Sequence, residues 1–315
     1  MKILIISLSN LGDALLTWPT LSALWAAYPD GEFHILASSR TRALFAGDSR
    51  FRRVWAWEKS EPVWKQAASI ARLAGERYPL VVDFRNSLIP LFLAARRRTP
   101  VFRKRAPAGE HRAQTHLRLL SSLGIAPAPQ TARLPFGPEE ERKTNVWIQN
   151  GRPVVLLAPG ARSHLKRWKA DGFAWVADRL ILKQGVQVIL VGEEAERPIS
   201  DEVKRAMKQP LTDLTGRTTL RELAALLAKA RLLITNDSAS LHAAEMMGVP
   251  SVAIFGPTDE KKYGPRNPRS AVIRRTLVCA PCERALCPYG HECMAWVTPD
   301  EVYSAAAKIL EGADA

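Results

Sequence analysis

Short apolar runs alternate with amphipathic stretches along most of this chain. In the first half the runs predict strands at Lys2–Leu8, Glu32–Ala37, Arg53–Trp57, Leu80–Asp83 and Thr99–Phe102. Between them, helical spacing of apolar positions predicts helices at Asp13–Ala27, Val63–Ala74, Leu88–Ala95 and Gln114–Ser122. The rhythm breaks over Gly124–Pro138, where Pro127, Pro129, Pro135 and Pro138 remove donors and stop helices. It then resumes. A charged helix at Pro138–Gln149 leads to strands at Val154–Ala158, Val186–Val191, Leu211–Asp213, Leu232–Ile234 and Ser251–Phe255. Helices are expected at Ala170–Lys183, Ala195–Met207, Leu220–Ala228, Ala239–Met247 and Asp300–Leu310. Strands that alternate with helices indicate wound parallel sheets. The expectation is two α/β domains, 1–137 and 138–315, with a ligand cleft between them and a last helix that packs back on the first domain.

In open α/β sheets, ligands sit beyond the carboxyl ends of the strands. The clearest such place is Ala230–Asp259. There Leu232–Ile234 runs into Asn236, Asp237 and Ser238, polar residues able to open the helix that carries His242. Gly248 and Pro250 close that helix, and the next apolar run ends at Gly256-Pro257-Thr258-Asp259. Asn10-Leu11-Gly12-Asp13 follows the first strand. Gly12 permits close backbone approach, and Asp13 reads either as a helix cap or as a general base for an acceptor hydroxyl. Pro159-Gly160-Ala161-Arg162-Ser163 with Lys166 and Arg167 offers N–H groups, a hydroxyl and cations, a set suited to a diphosphate. It has neither the P-loop nor the dinucleotide glycine spacing. Glu194 closes another strand, where an acid can bind ribose hydroxyls, and Thr215-Gly216 forms a further strand-end turn. Each of these also reads as ordinary surface or packing, and a lone helical His as structural.

Charge sharpens the picture. The net charge is +14 and the pI about 10.0. Arg96, Arg97, Arg98, Arg103, Lys104 and Arg105 lie together without an intervening acid, followed by His111, Arg112 and His116. Such a cluster suits a polyanionic partner. No apolar run reaches the ~18 residues of a spanning helix. The start, Met1-Lys2-Ile3-Leu4-Ile5-Ile6, reads as a core strand and not a signal peptide, which gives a cytoplasmic expectation.

All four cysteines fall in one short stretch, Cys279, Cys282, Cys287 and Cys293, with His291 among them. Thiolates at this density suit a structural zinc ion or an iron–sulfur centre; reduced thiols are the alternative. The spacing is not that of a zinc ribbon, and the cytoplasmic expectation disfavours disulfides.

Taken together the motifs resemble glycosyltransferase family 9, the bacterial heptosyltransferases of lipopolysaccharide core assembly, and most of all its heptosyltransferase II branch. The resemblance is carried by Gly12-Asp13-Ala14-Leu15-Leu16-Thr17-Trp18-Pro19, Pro159-Gly160-Ala161, Lys166-Arg167-Trp168, Leu214-Thr215-Gly216, Asn236-Asp237-Ser238 through His242, and Phe255-Gly256-Pro257-Thr258-Asp259. It implies a GT-B architecture of two Rossmann-like domains. The C-terminal one would bind ADP-heptose, and the N-terminal one a phosphorylated Kdo- or heptosyl-lipid A. It implies inverting transfer with no cofactor required for catalysis. By resemblance Asp13 matches the base, Lys166 a phosphate-neutralising lysine and Glu194 a ribose-binding acid. Pro159, Gly160, Ser163, Thr215, Gly216, Asp237, Ser238, His242, Gly256 and Thr258 would line the donor. Asp237-Ser238-Ala239-Ser240 departs mildly from the family's pattern. Gly12, Arg97, Arg98, Arg103, Lys104, Arg105 and His111 would meet the acidic acceptor, and the chain would contact the anionic inner leaflet from the cytoplasm.

Two other readings are weighed. A GT-B-like sugar-nucleotide epimerase would need no acceptor. A nucleic-acid-binding protein is motivated by charge alone; the arginine run lacks aromatic interleaving apart from Phe102, and no finger or RNP motif appears. The expectation is therefore no nucleic-acid partner.

Overall fold

The computed structural model describes residues 1–103, 106–127, 133–149 and 151–312. The chain divides into two compact units, Met1–Ala132 and Arg133–Ala315, so the division falls a few residues before the expected Pro138.

The first unit holds β1 (Lys2–Ile6), β2 (Glu32–Ala37), β3 (Phe51–Ala56), β4 (Leu80–Asp83) and β5 (Arg97–Arg98) in the order β3-β2-β1-β4-β5. Every pairing is parallel, with Ile3 opposite Leu80 and Ile6 opposite Asp83. Strands covered on both faces need continuous apolar sequence, and Ile3, Leu4, Ile5 and Ile6 are all fully buried.

Departures from the sequence expectations have local causes. The expected helix Asp13–Ala27 is two helices, Leu11–Leu15 and Trp18–Ala27. Pro19 has no N–H to give and is tolerated only in a first turn, so Thr17 starts a new helix, its hydroxyl donating to the Ala14 carbonyl at 2.6 Å. Pro90 likewise reduces the expected helix Leu88–Ala95 to a 3-10 turn, Ile89–Phe92. The strand expected at Thr99–Phe102 is instead Arg97–Arg98. A helix at Ser39–Phe45 was not anticipated.

The second unit holds β6 (Val154–Ala158), β7 (Gln187–Leu190), β8 (Thr212–Asp213), β9 (Ala230–Asn236), β10 (Ser251–Phe255) and β11 (Ala271–Arg274). Their order is β11-β10-β9-β6-β7-β8, again all parallel. β11 was missed because its four residues are only half buried at the sheet edge. The final helix, Pro299–Glu311, packs Val302, Ala306 and Leu310 among Val252, Ile254 and Phe173 in the second unit's core. No helix among the described residues is long and apolar enough to cross a membrane.

Strand order now fixes where a ligand belongs. In each sheet the chain starts in the middle and winds first one way, then the other. The crevice opens where the winding reverses, between β1 and β4 in the first unit and between β6 and β9 in the second.

Candidate functional site

In the second unit the loops after β6 and β9 meet at that reversal. Lys166, at the end of the 3-10 turn His164–Lys166, donates its ammonium to Asp237 Oδ2 at 2.7 Å. The Asp237 side chain is 4% exposed and that of Lys166 30%, so the cation stays within reach of solvent. Asn236, fully buried, ties the two loops together. Its Oδ1 accepts from the Trp168 N–H at 3.0 Å, and its Nδ2 donates to the Pro159 carbonyl at 2.7 Å. Thr235 Oγ1 donates to the Ala158 carbonyl and lies 3.1 Å from Ser238 Oγ. Ser238 is the N-cap of helix Ala239–Met247, and its hydroxyl makes no cap bond, so the first N–H groups of that helix keep their orphan character beside the lysine. Ser163 precedes the 3-10 turn, with its carbonyl accepting from the Lys166 N–H.

The loop after β10 adds Gly256 and Thr258. A methyl on Gly256 would stand 2.5 Å from Met294 Sδ, so glycine is required there for packing. Thr258 is buried, and its hydroxyl has no hydrogen-bond partner among the described residues. A buried hydroxyl without a partner carries a cost that a bound polar ligand removes. His242 is buried within its helix.

The loop after β7 carries Glu194 and Glu196. Glu194 is engaged by Arg197, whose Nε and Nη2 each donate to a separate carboxylate oxygen at 2.7 Å, and its side chain is largely exposed. This pairing pulls the Glu194 carboxyl below its usual range. The acid turned toward the β6 loop is Glu196. A methyl on Gly160 would lie 2.2 Å from Glu196 Cδ, and one on Gly192 2.9 Å from its Oε2. Burial raises the Glu196 carboxyl above its ordinary value, against the backbone N–H of Glu193 that it accepts at 2.9 Å. Gly216, at φ 69°, lies against Glu194, and buried Thr215 donates its hydroxyl to Ser200 Oγ at 2.8 Å.

In the first unit Asp13 belongs to helix Leu11–Leu15, just beyond β1, where Asn10 Nδ2 donates to its Oδ2 at 3.0 Å. Gly12 precedes it within the same helix. Across the reversal, the Asp83 carboxylate accepts from the Arg85 N–H at 2.7 Å and from the N–H and hydroxyl of Ser87 at 2.6 and 2.9 Å. Arg85 reaches back to donate through Nε to the Ser7 carbonyl at 3.2 Å, while its Nη2 is buried without a hydrogen-bond partner among the described residues. Arg103 donates to the Asp83 carbonyl and, at 3.1 Å, to that of Pro100. Desolvation lowers the pKa of both arginines. His116 packs edge-on against Phe84, and burial pushes its pKa down to about 4, with Asp13 opposing that shift and Arg112, Arg103 and His111 adding to it.

The basic run therefore splits. Arg103 stands at the β1–β4 reversal, but Arg97 and Arg98 do not. They pair with Leu80 and Val81 in the amino-terminal half of β4, where Arg97 bonds the Tyr28 hydroxyl and Arg98 the Pro90 carbonyl. His111 caps helix Arg112–Ser121 through Nδ1. Lys104 and Arg105 lie outside the described residues. Arg85 is a residue at this place that the sequence reading did not select, whereas His116 was named in that reading only as part of the basic cluster. Arg85 could have been found from its place two residues past a strand end.

The thiols of Cys279, Cys282, Cys287 and Cys293 line one cavity of about 600 Å³ with His291. They do not converge on a ligand set: among the described residues no three His, Cys, Asp or Glu side chains gather as metal ligands. His291 instead bonds the Leu165 carbonyl through Nε2, and burial raises the Cys293 thiol to about 11.

Several known proteins are similar to this chain over most of its length. Lipooligosaccharide heptosyltransferase 2 of Campylobacter jejuni is 29% identical over 98% of this chain and 99% of that protein. Lipopolysaccharide heptosyltransferase 2 of Escherichia coli is 25% identical over 87% of this chain and 88% of its own length. Among solved structures, E. coli ADP-heptose LPS heptosyltransferase II superposes with TM-score 0.82 at 23% identity, covering the whole of both chains. A family 9 glycosyl transferase from Veillonella parvula gives 0.86 at 20% identity, covering 99% of this chain and 97% of that one. The fold class is α/β, GT-B. The profile of glycosyltransferase family 9 (heptosyltransferase) matches residues 73–292, and the chain belongs to that family.

Proposed function

We propose that this glycosyltransferase moves a heptose from ADP-heptose to the phosphorylated inner core of lipopolysaccharide, with inversion at the anomeric carbon and without a catalytic metal. The observation that carries the reading is the Lys166–Asp237 pair beside the open N-terminus of helix Ala239–Met247, at the reversal of the second sheet. A departing diphosphate needs its growing charge stabilised. Lys166, the Ser238 and Thr258 hydroxyls and the helix N–H groups provide that with no ion. Pro159, Gly160 and Gly256 belong to the loops that border this place, and Glu196, in place of Glu194, takes the ribose hydroxyls.

The chemical step needs one base. The Asp13 carboxylate accepts the proton of the acceptor hydroxyl as that oxygen attacks the anomeric carbon. The bond from that carbon to the diphosphate oxygen breaks with its electron pair, and ADP leaves from the opposite face. Arg85, Arg103 and Arg112 supply positive charge for the acceptor's phosphate and carboxylate groups. A lipid-linked acceptor places the work at the cytoplasmic side of the inner membrane. The family and the intact set of donor loops favour transfer over the epimerase reading. The four cysteines have no part in the reaction; a structural zinc or iron–sulfur centre there would require the thiols to draw together.

The test is transfer itself. Incubation with ADP-heptose and a defined Kdo-lipid A or heptosyl-Kdo-lipid A acceptor should yield one added heptose by mass spectrometry, with ADP released. Consumption of ADP-heptose to an isomer without an acceptor would overturn the reading.

A further inference from the structure

The stretch that carries the thiols is fastened to two of the donor loops. Among the described residues, the chain between β11 and the short helix Glu292–Ala295 holds an isolated bridge, Leu277 to Ala280, and no helix or strand. Its anchors are instead on the second sheet's loops. The N–H groups of Cys282 and Glu283 both donate to the Pro257 carbonyl, at 3.0 and 2.8 Å. Glu283 also pairs with Lys262 at 2.7 Å. His291 Nε2 bonds the carbonyl of Leu165, the residue before Lys166. A methyl on Gly256 would stand 3.0 Å from Cys293 Sγ. Leu165 and Pro257 form one wall of the cavity that the four thiols line. The stretch therefore brackets the β6 loop, which carries Lys166, and the β10 loop, which carries Thr258.

The thiols differ in reach. Cys293 is buried, and burial keeps its sulfur protonated and a poor nucleophile. Cys279, Cys282 and Cys287 are half-buried on the cavity wall. Cys279 and Cys282 have two residues between them, and the Ala280 N–H donating to the Leu277 carbonyl at 3.1 Å turns the chain just there. A Cys-x-x-Cys pair on a turn can meet the short span of a disulfide, and with no helix or strand around it the backbone can adjust.

We propose that Cys279 and Cys282 are a modification site, oxidised to a disulfide by a hydroperoxide, and that this bond loosens the donor loops. The thiolate of one cysteine attacks the peroxide; the O–O bond breaks, a sulfenic acid forms and water leaves. The second thiol attacks that sulfur, the S–S bond forms and a second water leaves, so two thiols are oxidised as one peroxide is reduced. A dithiol reverses it by exchange. Closing the ring draws Cys282 toward Cys279 and pulls its N–H and that of Glu283 off the Pro257 carbonyl, which shifts Gly256 and Thr258 on either side. The inference rests on the reading of these loops as the donor site and adds control of that site by oxidation.

The test uses the full chain, reduced and then exposed to hydrogen peroxide. Peptide mass spectrometry should show Cys279 joined to Cys282, lighter by two hydrogen atoms. Calorimetric titration should show ADP affinity lowered by about tenfold or more, and dithiothreitol should restore it. Cys279→Ser should bind ADP like the reduced parent both before and after peroxide, with an unchanged thermal melt. A different cysteine pairing, sulfinic acid without a disulfide, or a zinc or iron ion held by these thiols in the purified protein would each overturn the proposal. ADP binding that the disulfide leaves unchanged sinks this inference alone. Failure of the reduced parent to bind ADP sinks the donor reading, and this inference with it.

Discussion

Lys166 and Asp237 face each other at 2.7 Å across the reversal of the second sheet, one carried by the β6 loop and the other by the end of β9. In the proposed function the pair holds a cation in place for the donor diphosphate. Because Asp237 is nearly buried and Lys166 is not, the lysine can shift toward a diphosphate while the carboxylate keeps it on station.

Lys166→Ala should therefore act twice. Donor kcat/KM should fall by about 100-fold through lost phosphate stabilisation. Stability should also fall by about 1–3 kcal/mol, since a mostly buried carboxylate loses its partner. Asp237→Asn should lower donor kcat/KM less than Lys166→Ala does. Steady-state kinetics with thermal melts separate the two effects; unchanged donor kinetics in Lys166→Ala would place the lysine outside the site.

Glu194 and Glu196 make a paired test. Glu194 is held outward by Arg197, and Glu196 lies under Gly160. Glu196→Ala should weaken ADP binding by about tenfold or more, as expected for a lost carboxylate–hydroxyl contact of roughly 1.5–3 kcal/mol. Glu194→Ala should change it by less than about threefold. Gly160→Ala should behave like the Glu196 variant, because its methyl would displace that carboxylate. Calorimetric titration with ADP measures all three.

His116 makes stability depend on pH. Its folded pKa is about 4, below the ordinary 6.5, so the native state binds the proton less readily than the unfolded chain. The neutral imidazole's contribution is full above pH 6.5, and it is lost progressively as pH falls toward 4. Linkage gives about 2 kcal/mol lost by pH 5. His116→Gln should flatten the change in unfolding free energy between pH 7 and pH 5, measured by urea denaturation at both values.

The basic residues of the first unit should sort by place and not by density. Arg85→Ala should raise acceptor KM by about tenfold or more. Arg97→Ala with Arg98→Ala, at the other half of β4, should raise it by less than about threefold on a soluble acceptor. The reverse ranking in initial-rate kinetics would contradict the assignment of the β1–β4 reversal as the acceptor side.

The wound sheets and the loops at their strand ends were legible because turn residues and apolar runs alternate so regularly. Gly12-Asp13, Pro159-Gly160, Asp237-Ser238 and Gly256-Thr258 each follow a buried strand, and parallel pairing brings the loops of each sheet to one end of it. What could not be read was which of two near neighbours turns inward. Glu194 and Glu196 are two residues apart in one loop, and the choice is made by Arg197 at helical spacing from the first. Nor does a cluster of arginines in sequence give their level along a sheet. Arg97 and Arg98 pair with the start of β4, while Arg85 follows its end. The break before Trp18 was readable from Pro19, but the apolar pattern on either side ran through it.

The central claim is that Asp13 deprotonates the acceptor while the second unit holds the donor. Its most direct test is the initial rate of heptose transfer by Asp13→Asn, with ADP affinity measured on the same preparation. The account predicts a rate lowered by about 100-fold to 10,000-fold with ADP affinity within about twofold of the parent. Transfer at a rate close to that of the parent would contradict it.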